Sequence, residues 1–211
     1  MTYFYVGDIP HGEFVVSPTL NGEPMDVHNH DVIEVLLISP SGVDITSLSG
    51  APHAQGIDVT FPTDVSVFTE RGVHNLVVII DHTEHDELVG VTQADPVRIV
   101  ADDTDSEWST LARARDQWID ARAIDDAMLF DLLMLAQHQV LEYAPALAED
   151  AAVPLNYKMA QISQAKNVYN GSLVDSSSGD IGEGTFAIRP FPLDWQIKQI
   201  LRPRRGSPVV G

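Results

Sequence analysis

Positive charge is almost missing from the first half of this 211-residue chain and returns in the second, and the hydrophobic pattern changes period at the same place. Residues 1–107 hold two basic residues, Arg71 and Arg98, against nineteen acidic ones, a net of −17, whereas residues 108–211 hold ten against twelve, a net of −2. A charge break that coincides with a change of period marks two parts that fold by different rules. It falls on Asp102-Asp103-Thr104-Asp105-Ser106-Glu107, which has no apolar residue to pack and reads as a solvated linker or a helix entry. The expected organisation is one domain over residues 1–105 and a second over 106–211, an α+β chain.

The first part is dense in β-branched and aromatic runs at strand spacing: Tyr3–Val6, Glu13–Val16, Val32–Ile38, Ile57–Phe61, Val65–Phe68, His74–Ile80 and Pro96–Val100. Turn residues separate them. Asn21-Gly22 supplies positive φ, Ser39-Pro40-Ser41-Gly42 reads as a β-turn, and Glu70-Arg71-Gly72 breaks the chain before its most hydrophobic strand. About seven short strands in about 100 residues is the pattern of an immunoglobulin-like β-sandwich. Val32–Ile38 and Leu76–Ile80 are nearly continuous apolar runs, as expected of central strands covered on both faces. With no cysteine in the chain and no tryptophan before residue 108, the sandwich is expected to be held by aliphatic packing alone.

The second part has helical period and predicts a small bundle. Ser109 or Ser106 is placed to cap a helix carrying Leu111, Trp118 and Ile119, and Asp125-Asp126 puts negative charge at the positive end of the next helix dipole. That helix is expected to run to about Tyr143, with Leu129, Leu132, Leu133, Ala136, Val140 and Tyr143 on its inner stripe and Pro145 stopping it. A third helix opens near Pro154, presents Leu155, Met159, Ile162, Ala165 and Tyr169, and ends at Gly171. A polar loop over 172–184, a short strand at Phe186–Arg189, a last helix at Leu193–Arg202 and an extended tail over 203–211 complete the chain. Trp118, Leu132, Met159, Ile162, Tyr169 and Trp195 are expected in the core.

Composition excludes several functions. A net charge of −19 argues against a nucleic-acid binder, because phosphate neutralisation needs clustered Lys and Arg. No apolar run approaches membrane length, and Met1–Pro10 has neither the basic nor the apolar region of a secretory signal, so a cytoplasmic origin is expected. Two segments, Asp26-Val27-His28-Asn29-His30-Asp31 and Asp81-His82-Thr83-Glu84-His85-Asp86-Glu87, place imidazoles beside carboxylates, the ligand types of divalent metals. Both fall where loops are predicted, and polar loop surface is the favoured reading, with no metal site assigned. The consecutive His28-Asn29-His30 lacks the spread ligands of a ββα nuclease. Ser176-Ser177-Ser178-Gly179 has no nucleophile elbow, and Gly179-Asp180-Ile181-Gly182-Glu183-Gly184 is acidic where a phosphate loop needs lysine. No catalytic residue and no cofactor follow from the sequence.

The end of the chain is the exception to its acidity. Arg189, Lys198, Arg202, Arg204 and Arg205 put five basic residues within seventeen positions, against one acid, Asp194. Two readings stand: cations placed at a helix C-terminus for solubility, or a docking tail, Arg202, Arg204 and Arg205 followed by Pro208, Val209 and Val210, whose extended apolar end adds to a partner's sheet edge.

The order of parts, with Ile188-Arg189-Pro190-Phe191-Pro192-Leu193-Asp194-Trp195-Gln196-Ile197-Lys198-Gln199-Ile200-Leu201-Arg202-Pro203 and Met159-Ala160-Gln161-Ile162-Ser163-Gln164-Ala165-Lys166-Asn167-Val168-Tyr169, resembles the head-to-tail connector, or adaptor, proteins of long-tailed bacteriophages that infect actinobacteria. The likeness covers about residues 108–211. It implies a structural virion protein of the phage neck, assembled in the host cytoplasm: a dodecameric ring beneath the portal, its tail reaching the portal, a stopper or tail-completion protein below. The loop 172–184 then faces the DNA channel or the next ring, and DNA passes an acidic wall without specific binding. The immunoglobulin-like part is a decoration in this reading. The alternative is a module whose sandwich loops bind a carbohydrate or protein ligand, although the sandwich is poor in aromatics for sugar stacking.

Overall fold

The β-branched runs of the first half form strands and the leucine-rich segment after Asp125 forms a helix in the computed structural model, which describes residues 3–12, 14–25, 27, 32–42, 45–84, 87–104, 106–148, 151–173 and 192–202. The protein is α+β and divides into two units, Met1–Thr104 and Asp105–Gly211. No helix among the described residues is long and apolar enough to cross a membrane.

The first unit contains β1 (Tyr3–Tyr5), β2 (Val15–Val16), β3 (Thr19–Leu20), β4 (Glu23–Pro24), β5 (Val32–Ile38), β6 (Ile45–His53), β7 (Gly56–Thr60), β8 (Gly72–Glu84), β9 (Glu87–Gln93) and β10 (Val97–Asp102). Eight of them make one large curled sheet in the order β1-β10-β8-β5-β6-β7-β2, with β9 also on β8, while β3 and β4 pair alone. β8 organises the sheet. One of its edges pairs with β5, and the other pairs with β10 along Gly72–Leu76 and then with β9 from Ile79 to Glu84. The tight turn between β3 and β4 uses Asn21 at φ 54° and Gly22 at φ 82°, the positive values a two-residue hairpin turn demands. Gly56 is constrained more severely: at φ 146° a Cβ there would lie 2.0 Å from the Val16 carbonyl oxygen, so β7 can start beside β2 only with glycine.

Several sequence expectations need correction here. β6 (ITSLSGAPH) and β9 (ELVGVTQ) form although Gly50, Pro52 and Gly90 weaken their strand signature; pairing with β5, β7 and β8 overrides local preference. Val65–Phe68 is no strand, and Val67 and Phe68 reach the core from an irregular segment. In β5, Val35 and Leu37 are buried while Leu36 and Ile38 are half-buried, so the strand alternates; in β8, Leu76, Val77 and Val78 are all buried. Segment 81–87, expected as a loop, continues β8 to Glu84 and opens β9 at Glu87. The core is also not purely aliphatic. Phe4 stacks on Phe68 with centroids 4.6 Å apart, Phe14 meets Phe61 edge-on at 5.4 Å, and Phe4, Phe14 and Phe61 enclose one another at about 6 Å.

His74 closes this cluster, its ring edge-on to Phe68 at 5.1 Å, fully buried and without a hydrogen bond of normal geometry at either nitrogen. Burial pushes its pKa below the ordinary 6.5, and the Gly72 backbone and the Glu70 carboxylate oppose this to a lesser degree. The unfolded chain thus binds a proton here at a higher pH than the folded one. Stability is complete above about pH 6.5 and is lost as pH falls toward the folded value. His74→Leu is expected to flatten the loss of urea midpoint between about pH 6.5 and 5 relative to wild type. Glu70 and Asp95 do not blur that window: hydrogen bonds, from Ser41 to Glu70 and from Gly22 and Thr19 to Asp95, hold both carboxyls below their ordinary values. Parallel curves for variant and wild type would disprove the assignment.

The second unit contains α1 (Leu111–Gln117), a 3-10 turn (Ile119–Arg122), α2 (Asp126–Tyr143), α3 (Leu155–Leu173) and α4 (Trp195–Leu201). Thr110, rather than Ser109 or Ser106, caps α1 by accepting from Arg113 N; Ser109 is committed elsewhere, its N–H donating to Gln161 Oε1 at 3.0 Å. Asp125 caps α2 by accepting from Ala127 N and Met128 N. Leu129, Leu132, Leu133, Ala136 and Val140 are fully buried along α2.

On α3 the buried stripe is Tyr157, Ala160, Gln161, Gln164, Ala165 and Val168. Ile162 is buried, Tyr169 is half-buried against Trp118 at 5.5 Å, and Leu155 and Met159 are 70% and 50% exposed. Met159 is therefore not core. The helix has turned so that its small residues approach α2, and Gln161 tolerates burial because its Nε2 donates to the Leu133 carbonyl while its Oε1 accepts from Ser109. α3 also continues through Ser172 to Leu173, past Gly171.

Candidate docking surface

α4 is short, and its placement depends on one aspartate and two aliphatic side chains. Asp194 caps it, Oδ1 accepting from Ile197 N at 2.8 Å, and the same carboxylate accepts from Asn167 Nδ2 at 2.9 Å, which ties the start of α4 to α3. Its far end is tied by Asn156 Nδ2 donating to the Ile200 carbonyl at 3.0 Å. Ile197 and Leu201, one turn apart, are buried with Val140, Ala144, Val153, Tyr157 and Ala160.

With 197 and 201 turned inward, helical geometry puts Trp195, Lys198 and Arg202, at i, i+3 and i+7, on another stripe. Trp195 is 64% exposed, so the expectation that it fills the core is wrong. The aliphatic pair already satisfies the inner face of this two-turn helix, leaving no room there for an indole. Beside the stripe stands Tyr143, the last residue of α2. Lys198 Nζ lies 5.6 Å and Arg202 Cζ 4.8 Å from its ring centroid, within cation–π range. Two depressions share Tyr143 and Lys198: one of about 260 Å³ lined also by Gln139, Glu142, Pro192 and Leu193, the other of about 230 Å³ lined also by Trp195, Gln199 and Arg202.

Stacking on Tyr143 restricts two long cationic side chains before any partner arrives, which lowers the entropy lost on docking. An exposed Trp and Arg beside a half-buried Tyr have the composition of an interface hot spot. Sequence reasoning found Arg202 but missed Tyr143, assigned to the apolar stripe of α2, and misassigned Trp195. The inward pair Ile197 and Leu201 was the available signal, since it forces 195, 198 and 202 off the core face.

Of the other sites read from sequence, Arg204, Arg205, Pro208, Val209 and Val210 lie outside the described residues, as do the strand expected at Phe186–Arg189, all but Ser172 and Leu173 of the loop 172–184, and His28–Asp31. Among the described residues no group of three or more His, Asp or Glu is arranged to hold a metal ion. No family model matches the chain, and no curated protein matches it in sequence.

Proposed function

We propose that the chain is a structural subunit of a phage head-to-tail adaptor ring, contributing geometry rather than chemistry, with α4 and the tail that follows it directed at the portal. The observation that carries this reading is the cationic and aromatic stripe Trp195, Lys198 and Arg202 on Tyr143, in a chain whose net charge is otherwise strongly negative. The stripe leads directly into the basic tail, so stripe and tail form one docking element. A stopper or tail-completion protein occupies the opposite side of the ring, and DNA passes through. The first unit is read as an immunoglobulin-like sandwich decorating the ring: β6 pairs with β5 through Ile45–Leu48 and with β7 through Ser49–His53, the way a strand turns a corner between two layers.

Trp195→Ala is expected to change unfolding stability by less than about 1 kcal/mol, as for a surface position. Together with Arg202→Ala it should weaken binding to the portal protein of the same genome more than tenfold, measured by co-sedimentation of the full chain. Deletion of residues 204–211 should abolish binding with the fold intact. Wild-type binding by both variants would refute the docking assignment.

A further inference from the structure

In an Asn-Gly pair the asparagine side-chain amide is easily lost, because glycine puts no side chain in the way when its own backbone nitrogen attacks the asparagine Cγ. The chain has two such pairs, Asn21-Gly22 and Asn170-Gly171. Asn170-Gly171 lies inside α3, where the helix fixes the backbone and commits the glycine N–H. Asn21-Gly22 has no helix around it. It is the tip of the β3–β4 hairpin, both residues are exposed, and a two-stranded hairpin outside the large sheet is a weak unit by itself. Among the described residues nothing crowds the glycine either, since a Cβ built there would meet no atom within 4 Å.

One side chain does hold this turn. Asp95, in the connection between β9 and β10, accepts through Oδ2 from Gly22 N at 2.9 Å and from Thr19 Oγ1 at 2.9 Å, and its own N–H donates to the Thr19 carbonyl at 2.7 Å. The nitrogen that would have to attack is therefore the one the carboxylate holds. To attack, Gly22 N must give up its proton. A carboxylate accepting that proton's hydrogen bond stabilises the protonated amide, and an amide anion formed there would face a negative oxygen.

We infer that Asn21 is a deamidation site held in check by Asp95, and that loss of its amide loosens the β3–β4 hairpin. In the step, Gly22 N bonds to Asn21 Cγ and the Cγ–Nδ2 bond breaks; the N–H proton passes through solvent to the departing NH2, which leaves as ammonia. Water then opens the five-membered imide at either carbonyl, giving aspartate or its β-linked isomer. Both products add a negative charge to the turn that Asp95 caps, and the isomer carries one more backbone carbon than a two-residue turn accommodates. None of this depends on the adaptor role.

The full chain is incubated in warm, mildly alkaline buffer and its Asn21 and Asn170 peptides are followed by mass spectrometry, with an isoaspartyl methyltransferase marking the β-linked product. Wild type should lose the Asn21 amide at least about tenfold more slowly when folded than in urea. Asp95→Ala should speed the loss at Asn21 at least about tenfold in the folded chain and leave Asn170 unchanged; Asp95→Asn, which keeps an acceptor of similar shape without the charge, should fall between the two. Hydrogen exchange of the β8 and β10 amides reports that the sheet is intact. Should Asp95→Ala unfold it, Asp95→Asn and the folded-to-urea ratio of wild type carry the test. Equal rates for folded and urea-treated wild type, or a folded Asp95 variant that deamidates no faster than wild type, would overturn the assignment; a slower variant would make Asp95 a base that promotes the attack and would overturn it equally. Asn21→Asp, standing for the product, should speed exchange at the Gly22 and Met25 amides and spare β8. Unchanged exchange there would show that the hairpin does not loosen.

Discussion

Arg115→Ala is expected to destabilise the helical unit by about 3–5 kcal/mol, the range for removing one partner of a buried ion pair. Arg115 is buried at the end of α1, and its guanidinium connects three parts of the chain that follows. Nε donates to the Ala121 carbonyl at 3.3 Å, and Nη2 donates to the Ile124 carbonyl at 3.2 Å and to Asp126 Oδ1. Asp126 is itself buried at the first turn of α2. Alanine would remove the guanidinium from that buried carboxylate and one donor from each of the Ala121 and Ile124 carbonyls. All three tryptophans, Trp108, Trp118 and Trp195, lie in this unit, so urea unfolding followed by indole fluorescence reports on it selectively. The double change Arg115→Met with Asp126→Leu should recover most of the loss, because a buried pair replaced by apolar volume is often neutral. A loss below about 1 kcal/mol for the single change would show that the pair is not structural.

The sheet unit has its own critical residue. Phe68→Ala is expected to cost about 3–5 kcal/mol, because a fully buried ring stacked on Phe4 and capped by His74 leaves a cavity that strands on both sides cannot collapse into. The damage should appear as faster hydrogen exchange of the β8 and β10 amides, which the aromatic cluster shields. Phe68→Leu should cost less than half as much. Unchanged protection in the alanine variant would mean the cluster fills space without holding the sheet.

Where the sequence carries a periodic signal backed by a cap and a stop, its reading survives contact with the structure. α2 begins after Asp125 and ends at Tyr143 because helical period, an N-cap acid and Pro145 agree. Where the structure uses residues against their usual role, the reading fails. β6 pairs with β7 through Ser49, Gly50, Ala51 and Pro52, so in that half its strand character comes from the neighbouring strand and not from its side chains. α3 buries two glutamines and exposes a leucine and a methionine, so the expected apolar stripe holds at Ile162 and Ala165 and fails at Leu155 and Met159. Phe68 joins the core from a non-strand segment, a placement no periodicity encodes. The candidate docking surface was half legible: the cations were conspicuous in an acidic chain, but Tyr143, which lies against them, is more than fifty residues away along the chain.

Mechanical joining by the helical unit is checked by negative-stain imaging of the full chain mixed with the portal protein of the same genome. An added ring of density is expected on one face of the portal, present with wild type and absent when Trp195 and Arg202 are both alanine. Portal particles unchanged by the wild-type chain would contradict it.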